Sequence, residues 1–222
     1  MTGMHQRATL TPEEYPPDAS PQADATAPLT DAIRSCRLCA GRFQATRTAH
    51  SPRPVPWLSA RAPILIVGQA PGARVHALGR PFDDRSGDRL RDWLGVDRAA
   101  FYDREKFAVL PMAFCFPGYS AAGSDLPPPL LCAETWRARA LAAMPQVRLT
   151  VLIGGYAQRW HLGTRSVTEA VRDWRAFGPR AIPLPHPSWR NTGWLKRNPW
   201  FEAELVPVLR ARVRDLLEGR DG

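Results

Sequence analysis

Four short apolar runs mark the middle of the chain: Ile64–Val67, residues 107–112, Leu149–Ile153 and Ala181–Leu184, each bounded by Gly, Pro or a charged residue. Short apolar runs without alternation are what strands buried on both faces look like. Between them lie stretches of helical length at 88–94, 133–143 and 166–174, the last with Thr168 and Glu169 near its start. Strands alternating with helices predict a three-layer α/β/α sandwich around a central four-stranded, mainly parallel sheet. Near the end of the chain Phe201, Leu205, Leu209, Val213 and Leu216 recur every three or four residues, one face of a helix that Pro207 is expected to kink.

Composition adds the limits of the fold. Residues 1–28 are rich in Pro, Ala, Asp and Thr and keep no helical or strand period, so they read as a disordered tail ahead of a single α/β domain over 29–220. A short helix over 29–37, carrying Ala32 and Ile33, is expected to deliver Cys36, and the Pro-rich stretch 51–63 reads as an extended connector. No apolar stretch approaches the roughly 20 residues that span a bilayer, and no signal-type apolar run follows Met1. The expectation is a soluble, cytoplasmic monomer with no membrane partner.

Charge sharpens the choice of partner. The net charge is +9, and the first 28 residues hold only Arg7 against Glu13, Glu14, Asp18 and Asp24, so the body is more basic than the whole. Such a surface attracts polyanions through counterion release. Nearly all the basic residues are Arg, with only Lys106 and Lys196 as lysines, so an Arg-rich composition explains the same number and charge alone leaves both readings open.

In an open parallel sheet ligands bind beyond the carboxyl ends of the strands, and two motifs fall there. Gly68-Gln69-Ala70-Pro71-Gly72 directly follows the first strand, a sharp turn that is either ordinary or a place where backbone N–H groups approach a ligand. His186-Pro187-Ser188 follows the last strand, with prolines holding His186 in a stiff extended segment. Trp189, Arg190, Asn191, Trp194, Lys196, Arg197 and Trp200 come next, a basic stretch interleaved with aromatics of the kind that grips and wedges nucleic acid. Between the two, Gly79-Arg80-Pro81-Phe82-Asp83-Asp84-Arg85-Ser86-Gly87 sets one aromatic beside a carboxylate pair. Phe82 either stacks on a planar base or plugs the core. Asp83 and Asp84 either orient water or, with Ser86, offer a cap for the next helix.

The four cysteines give Cys36-x2-Cys39, a long gap, then Cys115-x16-Cys132. In a cytoplasmic chain stable disulfides are not expected, and four thiolates suit either an iron–sulfur cluster or a structural zinc that clips long loops together.

The order of these motifs resembles the uracil-DNA glycosylase superfamily, most closely its iron–sulfur branch, family 4, over roughly residues 35–213. The resemblance implies a monofunctional hydrolase that cleaves the N-glycosidic bond of uracil in DNA, the first step of base excision repair. It also implies a [4Fe-4S] cluster on Cys36, Cys39, Cys115 and Cys132, with structural zinc as the alternative. Carried over by position, Gly68, Gln69, Ala70, Pro71 and Gly72 line the base pocket, Phe82 stacks, His186 bonds the uracil O2, and Asp83 or Asp84 positions water. Ser188, Trp189, Arg190, Asn191, Lys196 and Arg197 face the DNA. Two departures matter. Gln69 stands where the family usually has Glu, and Pro111 stands where the family reads uracil with an Asn, which motivates the alternative of a non-catalytic or altered-specificity binder of damaged or single-stranded DNA. A subtype that bonds covalently to DNA carries an extra His on an inserted loop, and residues 116–131 contain none.

Overall fold

The computed structural model describes residues 26–164 and 166–220. The tail expected over 1–28 lies outside the described residues up to position 25, and its end is helical instead. Helix α1 (Ala27–Arg34) starts two residues early because Pro28 sits in the first turn, where no N–H is needed. A single turn, α2 (Ala40–Gln44), follows Cys39, and the connector then runs extended to β1 (Ile64–Val67). The chain continues through α3 (Ala73–Leu78), α4 (Arg85–Leu94), α5 (Arg98–Phe101), β2 (Phe107–Val109), α6 (Leu130–Ala142), β3 (Leu149–Ile153) and α7 (Gly154–Leu162). It ends with α8 (Val167–Arg172), β4 (Ala181–Leu184), α9 (Thr192–Arg197) and α10 (Val206–Leu217).

The four strands form one parallel sheet in the order β2-β1-β3-β4, with Ile64 beside both Phe107 and Leu149, and Thr150 beside Ala181. Alternation along β1 sends Ile64 and Ile66 into a core with Leu90, Trp93, Phe201, Leu209 and Val213. Leu65 and Val67 face a second core with Ile33, Trp136 and Ala140. Helices therefore cover both faces of the sheet, the three-layer sandwich that the apolar runs predict.

Two boundaries moved for physical reasons. Strand β2 stops at Val109 rather than 112, because Pro111 has no N–H to give. The segment nevertheless stays alongside β1 and the turn beyond it, through the N–H groups of Leu110, Met112 and Ala113 on the carbonyls of Ile66, Gly68 and Gln69. At the other end Pro207 does not kink a helix interior. Residues Phe201–Leu205 form a wider π turn, and Pro207 falls in the first turn of α10.

Candidate active site

A cleft of about 810 Å³ opens beyond the carboxyl ends of β1 and β4, large enough for a nucleotide. All three motifs reach it. Gly68, Gln69, Ala70, Pro71 and Gly72 form one wall, Phe82 and Asp84 a second, and His186, Ser188, Trp189, Arg190 and Asn191 a third.

Phe82 packs on the core and also borders the cleft. Its half-buried ring packs edge-on against Phe101 at 6.1 Å between centroids and is part of the cleft lining. The backbone there is in the left-handed region, φ 53°, uncommon for an aromatic residue. Two glycines make that geometry available. A Cβ on Gly68 would stand 3.2 Å from the Phe82 ring, and one on Gly87 would stand 1.7 Å from the Phe82 carbonyl oxygen. Arg91 holds that oxygen from the other side at 3.2 Å.

The two aspartates separate cleanly. Asp83 turns away from the cleft, its two carboxylate oxygens each 2.9 Å from the Arg98 guanidinium. Asp84 caps α4, accepting the Gly87 N–H at 2.9 Å, and still lines the cleft close enough for its charge to act on His186. Of the pair, the structure brings only Asp84 to the site.

His186 is positioned by its own motif. The Ser188 N–H donates to Nδ1 at 3.2 Å, and Asn191 Nδ2 bonds the His186 carbonyl at 2.7 Å. A ring nitrogen that accepts an N–H carries no proton, so the neutral ring is protonated on Nε2. Burial lowers the His186 pKa, against the opposing pull of Asp84 and Asp125. The result is a neutral imidazole with its N–H donor on Nε2. Arg89 in α4 bonds the Ser188 carbonyl at 3.2 Å, which ties the Phe82 loop to the His186 loop.

Only part of the basic, aromatic stretch reaches the cleft or the surface. Trp189 is 70% exposed at the rim, with the Arg190 guanidinium 5.9 Å from its ring, and Lys196 and Arg197 are exposed on α9. Trp194 and Trp200 are not stacking platforms. They pack on the core, and Trp194 donates to the Thr168 hydroxyl at 2.8 Å. Asn191 spends its amide on His186, and the Ser188 hydroxyl accepts the Arg190 N–H at 3.3 Å.

Tyr119, Ser124 and Asp125 also line the cleft, and the motifs did not point to them. They stand on a tight loop closed by Ser120 N–H to Ser124 O at 2.8 Å and Leu126 N–H to Gly118 O at 2.9 Å. Gly118, at φ +92°, lies against Thr46, where a Cβ would come within 2.8 Å of the hydroxyl. The one available signal was the pair Gly118 and Gly123 framing a polar stretch inside Cys115-x16-Cys132. Pro111 is in the cleft wall as well.

The four cysteines meet at a second, smaller cavity behind the cleft, with Ile33, Phe43, Phe114 and Trp136 among its apolar walls. Burial pushes the Cys115 thiol up to about 12 and the Cys132 thiol to about 11, and charges on the other thiols add to both shifts. Two backbone N–H groups point at sulfur, that of Phe114 to Cys132 at 3.5 Å and that of Arg53 to Cys115. Among the described residues no three Cys, His, Asp or Glu side chains close up on a single point where one metal ion could sit. Four thiols around one dry cavity, two of them receiving N–H bonds, are a donor set for a soft metal group.

Compared with known protein families, residues 55–210 match the uracil DNA glycosylase superfamily. The matched stretch includes all three motifs of the cleft together with Cys115 and Cys132, and begins after Cys36 and Cys39.

Proposed function

The chain belongs to the uracil DNA glycosylase superfamily, and from that premise we propose that it is a monofunctional glycosylase that hydrolyses the N-glycosidic bond of uracil in DNA. The observation that carries the reading is the neutral His186, with Nε2 as its donor, beside an open aromatic face in one cleft. Breaking the bond leaves negative charge on the departing base. A fixed neutral donor aimed where that charge grows stabilises the transition state more than the ground state, and one such donor is worth about 3–4 kcal/mol. Phe82 stacks on the extruded base. The carbonyls of Gly68 and Gln69 are taken by Met112 and Ala113, which leaves the N–H side of the turn as further donors.

Water attacks the sugar, and Asp84 orients it, with Gln69 alongside. Asp83, held by Arg98, stays outside the chemistry. Extruding a nucleotide costs a few kcal/mol, offset when Trp189 fills the vacated stack and Arg190, Lys196 and Arg197 hold phosphates. Neither lysine lies in the cleft wall, so an amine nucleophile and a lyase step are not part of this reading. Pro111 presents no amide to the base, and the base edge is read instead by polar groups of the 119–125 loop.

The four cysteines are proposed to hold a [4Fe-4S] cluster, with zinc as the alternative. Four thiols that line one cavity without converging on a single point suit a polynuclear cluster bound at its edges, whereas a lone zinc draws four sulfurs to about 2.3 Å of one point. When bound, the group supplies cross-links that hold α1, the 110–115 segment and α6 together. The test is incubation of the protein with single- and double-stranded oligonucleotides carrying one uracil, followed by alkaline cleavage of abasic sites. Strand scission only after alkali supports a monofunctional enzyme. Binding without base release turns the reading to the DNA-binding alternative.

A further inference from the structure

The loop that carries Phe82 is gripped along its backbone. Three carbonyls in a row, those of Pro81, Phe82 and Asp83, each accept from a side chain of a different element. The Tyr102 hydroxyl, at the end of α5, donates to the Pro81 carbonyl at 3.0 Å, Arg91 in α4 to that of Phe82 at 3.2 Å, and Arg74 Nε in α3 to that of Asp83 at 3.1 Å. A loop carbonyl left to water is free to move with the loop, whereas three fixed donors on successive peptides set its path. The residue at the centre of the grip is Phe82, one of two non-glycine residues in the left-handed region among those described. An aromatic side chain there carries steric strain that the surrounding contacts must outweigh.

Arg91 supplies most of those contacts. It is 6% exposed. Its guanidinium pairs with Asp88 at 2.6 Å and lies over the rings of Phe101 and Tyr102, 5.5 and 5.8 Å from their centroids. Phe101 is the ring on which Phe82 packs edge-on. One buried side chain therefore reaches both the backbone of Phe82 and the ring that supports its ring. Asp88 alone does not account for the burial, because its side chain is 72% exposed and water solvates it. Taking a guanidinium out of water is costly unless its donors are used, and here they are used on the Phe82 loop.

We propose that Arg91 is the positioning residue for base stacking: with Tyr102 and Arg74 it clamps residues 81–83 and keeps Phe82 in its left-handed conformation with the ring at the cleft. This rests on the reading that Phe82 stacks on the extruded base. Neither Arg91 nor Tyr102 is part of the cleft lining. Arg91 acts on the base through Phe82, which separates its role from that of a residue that only supports the fold.

The experiment measures affinity for two oligonucleotides of one sequence. One carries a uridine fluorinated on its sugar, whose glycosidic bond resists hydrolysis, and the other an abasic tetrahydrofuran analogue at the same place. The ratio of the two affinities reads contact with the base and removes the grip on the backbone. Wild type, Phe82→Ala, Arg91→Met and the double variant are compared, with melting temperatures on the same preparations. Phe82→Ala is expected to shift the ratio against the base on the order of 10–100-fold, the usual cost of lost stacking. Arg91→Met, which has no donor for the Phe82 carbonyl, is expected to shift it about tenfold the same way. It should add nothing to Phe82→Ala, because its effect passes through that ring. A lower melting temperature with the wild-type ratio in Arg91→Met overturns the proposal, as does a double variant in which the two shifts multiply. If Arg91→Met does not fold, Tyr102→Phe decides. It loses only the hydroxyl on the Pro81 carbonyl and is expected to shift the ratio about threefold, and an unchanged ratio then overturns the clamp. Should Phe82→Ala itself leave the ratio unchanged, the stacking reading of the cleft fails and the proposal with it; a ratio moved by Phe82→Ala alone leaves that reading standing and removes the clamp.

Discussion

Two concave sites of this protein lie on either end of one short segment, residues 111–115, and are built in opposite ways. The cleft lies at the carboxyl ends of parallel strands, open and lined by polar groups from all three motifs together with the 119–125 loop. The smaller cavity is made by helix ends and the turns around them and lined by apolar side chains and four thiols. Strand ends supply backbone and side-chain donors fixed by the sheet yet in reach of solvent, which suits something that must enter, react and leave. A dry cavity raises the thiol pKa values and admits little, which suits something held for the life of the fold. One continuous segment serves both, with Pro111 in the wall of the cleft and Ala113, Phe114 and Cys115 in that of the cavity.

That contrast breaks most readily by comparing substitutions across it. If the cysteines hold the proposed metal group, Cys115→Ser should cost about 3 kcal/mol or more of stability and most of the metal, because one buried ligand of a folding-coupled site would be gone. It should leave the rate per folded molecule nearly unchanged. A Cys115 variant with wild-type melting temperature and metal content would show that the cavity is an accident of packing.

Within the cleft the two glycines that accommodate Phe82 are unequal. Gly87→Ala drives a Cβ to 1.7 Å from a backbone oxygen that Arg91 also holds, so the loop must move and about 3 kcal/mol of stability should go with it. Gly68→Ala meets only the tip of the ring at 3.2 Å. A small rotation relieves it, at about 1 kcal/mol, with the loss showing chiefly in affinity for the extruded base. Urea midpoints of the two variants, together with binding to a flipped-base substrate, check the order.

The pH profile separates the aspartates, and Asp83 should show the smallest effect of all. His186 works as a neutral ring, so the rate should fall on the acid side as its lowered pKa is crossed. Asp84 and Asp125 hold that pKa up, and either Asp→Asn change should move the acid limb to lower pH. Asp83→Asn removes ion pairs to the exposed guanidinium groups of Arg98 and Arg80 and should leave the acid limb in place, with only a small fall in melting temperature. A pH profile displaced by Asp83→Asn and untouched by Asp84→Asn would reverse the assignment.

The sheet was legible because its strands are unbroken apolar runs, a signal that survives without neighbours. Ala40, Arg98 and Thr192 begin short helices that periodicity does not announce, since each is only four to six residues long. The motifs at strand ends were legible because topology dictates where strand ends meet. Which of two adjacent aspartates faces inward was not, because Arg98, fifteen residues on, decides it. Trp194 and Trp200 sit among basic neighbours but pack on the core, Trp194 against Phe201 and the α8 residue Thr168, and Trp200 against Trp194. Asp125 and Tyr119 were missed because a polar loop carries no periodicity, and Arg91 because a buried arginine on a helix looks like any surface one.

The most direct test of the account is the single-turnover rate of uracil release by wild type and His186→Ala at neutral pH, with DNA affinity measured on the same preparations. Loss of one donor to charge that exists mainly in the transition state predicts a rate lower by on the order of 10²–10³ with affinity nearly intact. Equal rates, or a loss confined to affinity, would contradict the assignment of His186 as the donor to the departing base.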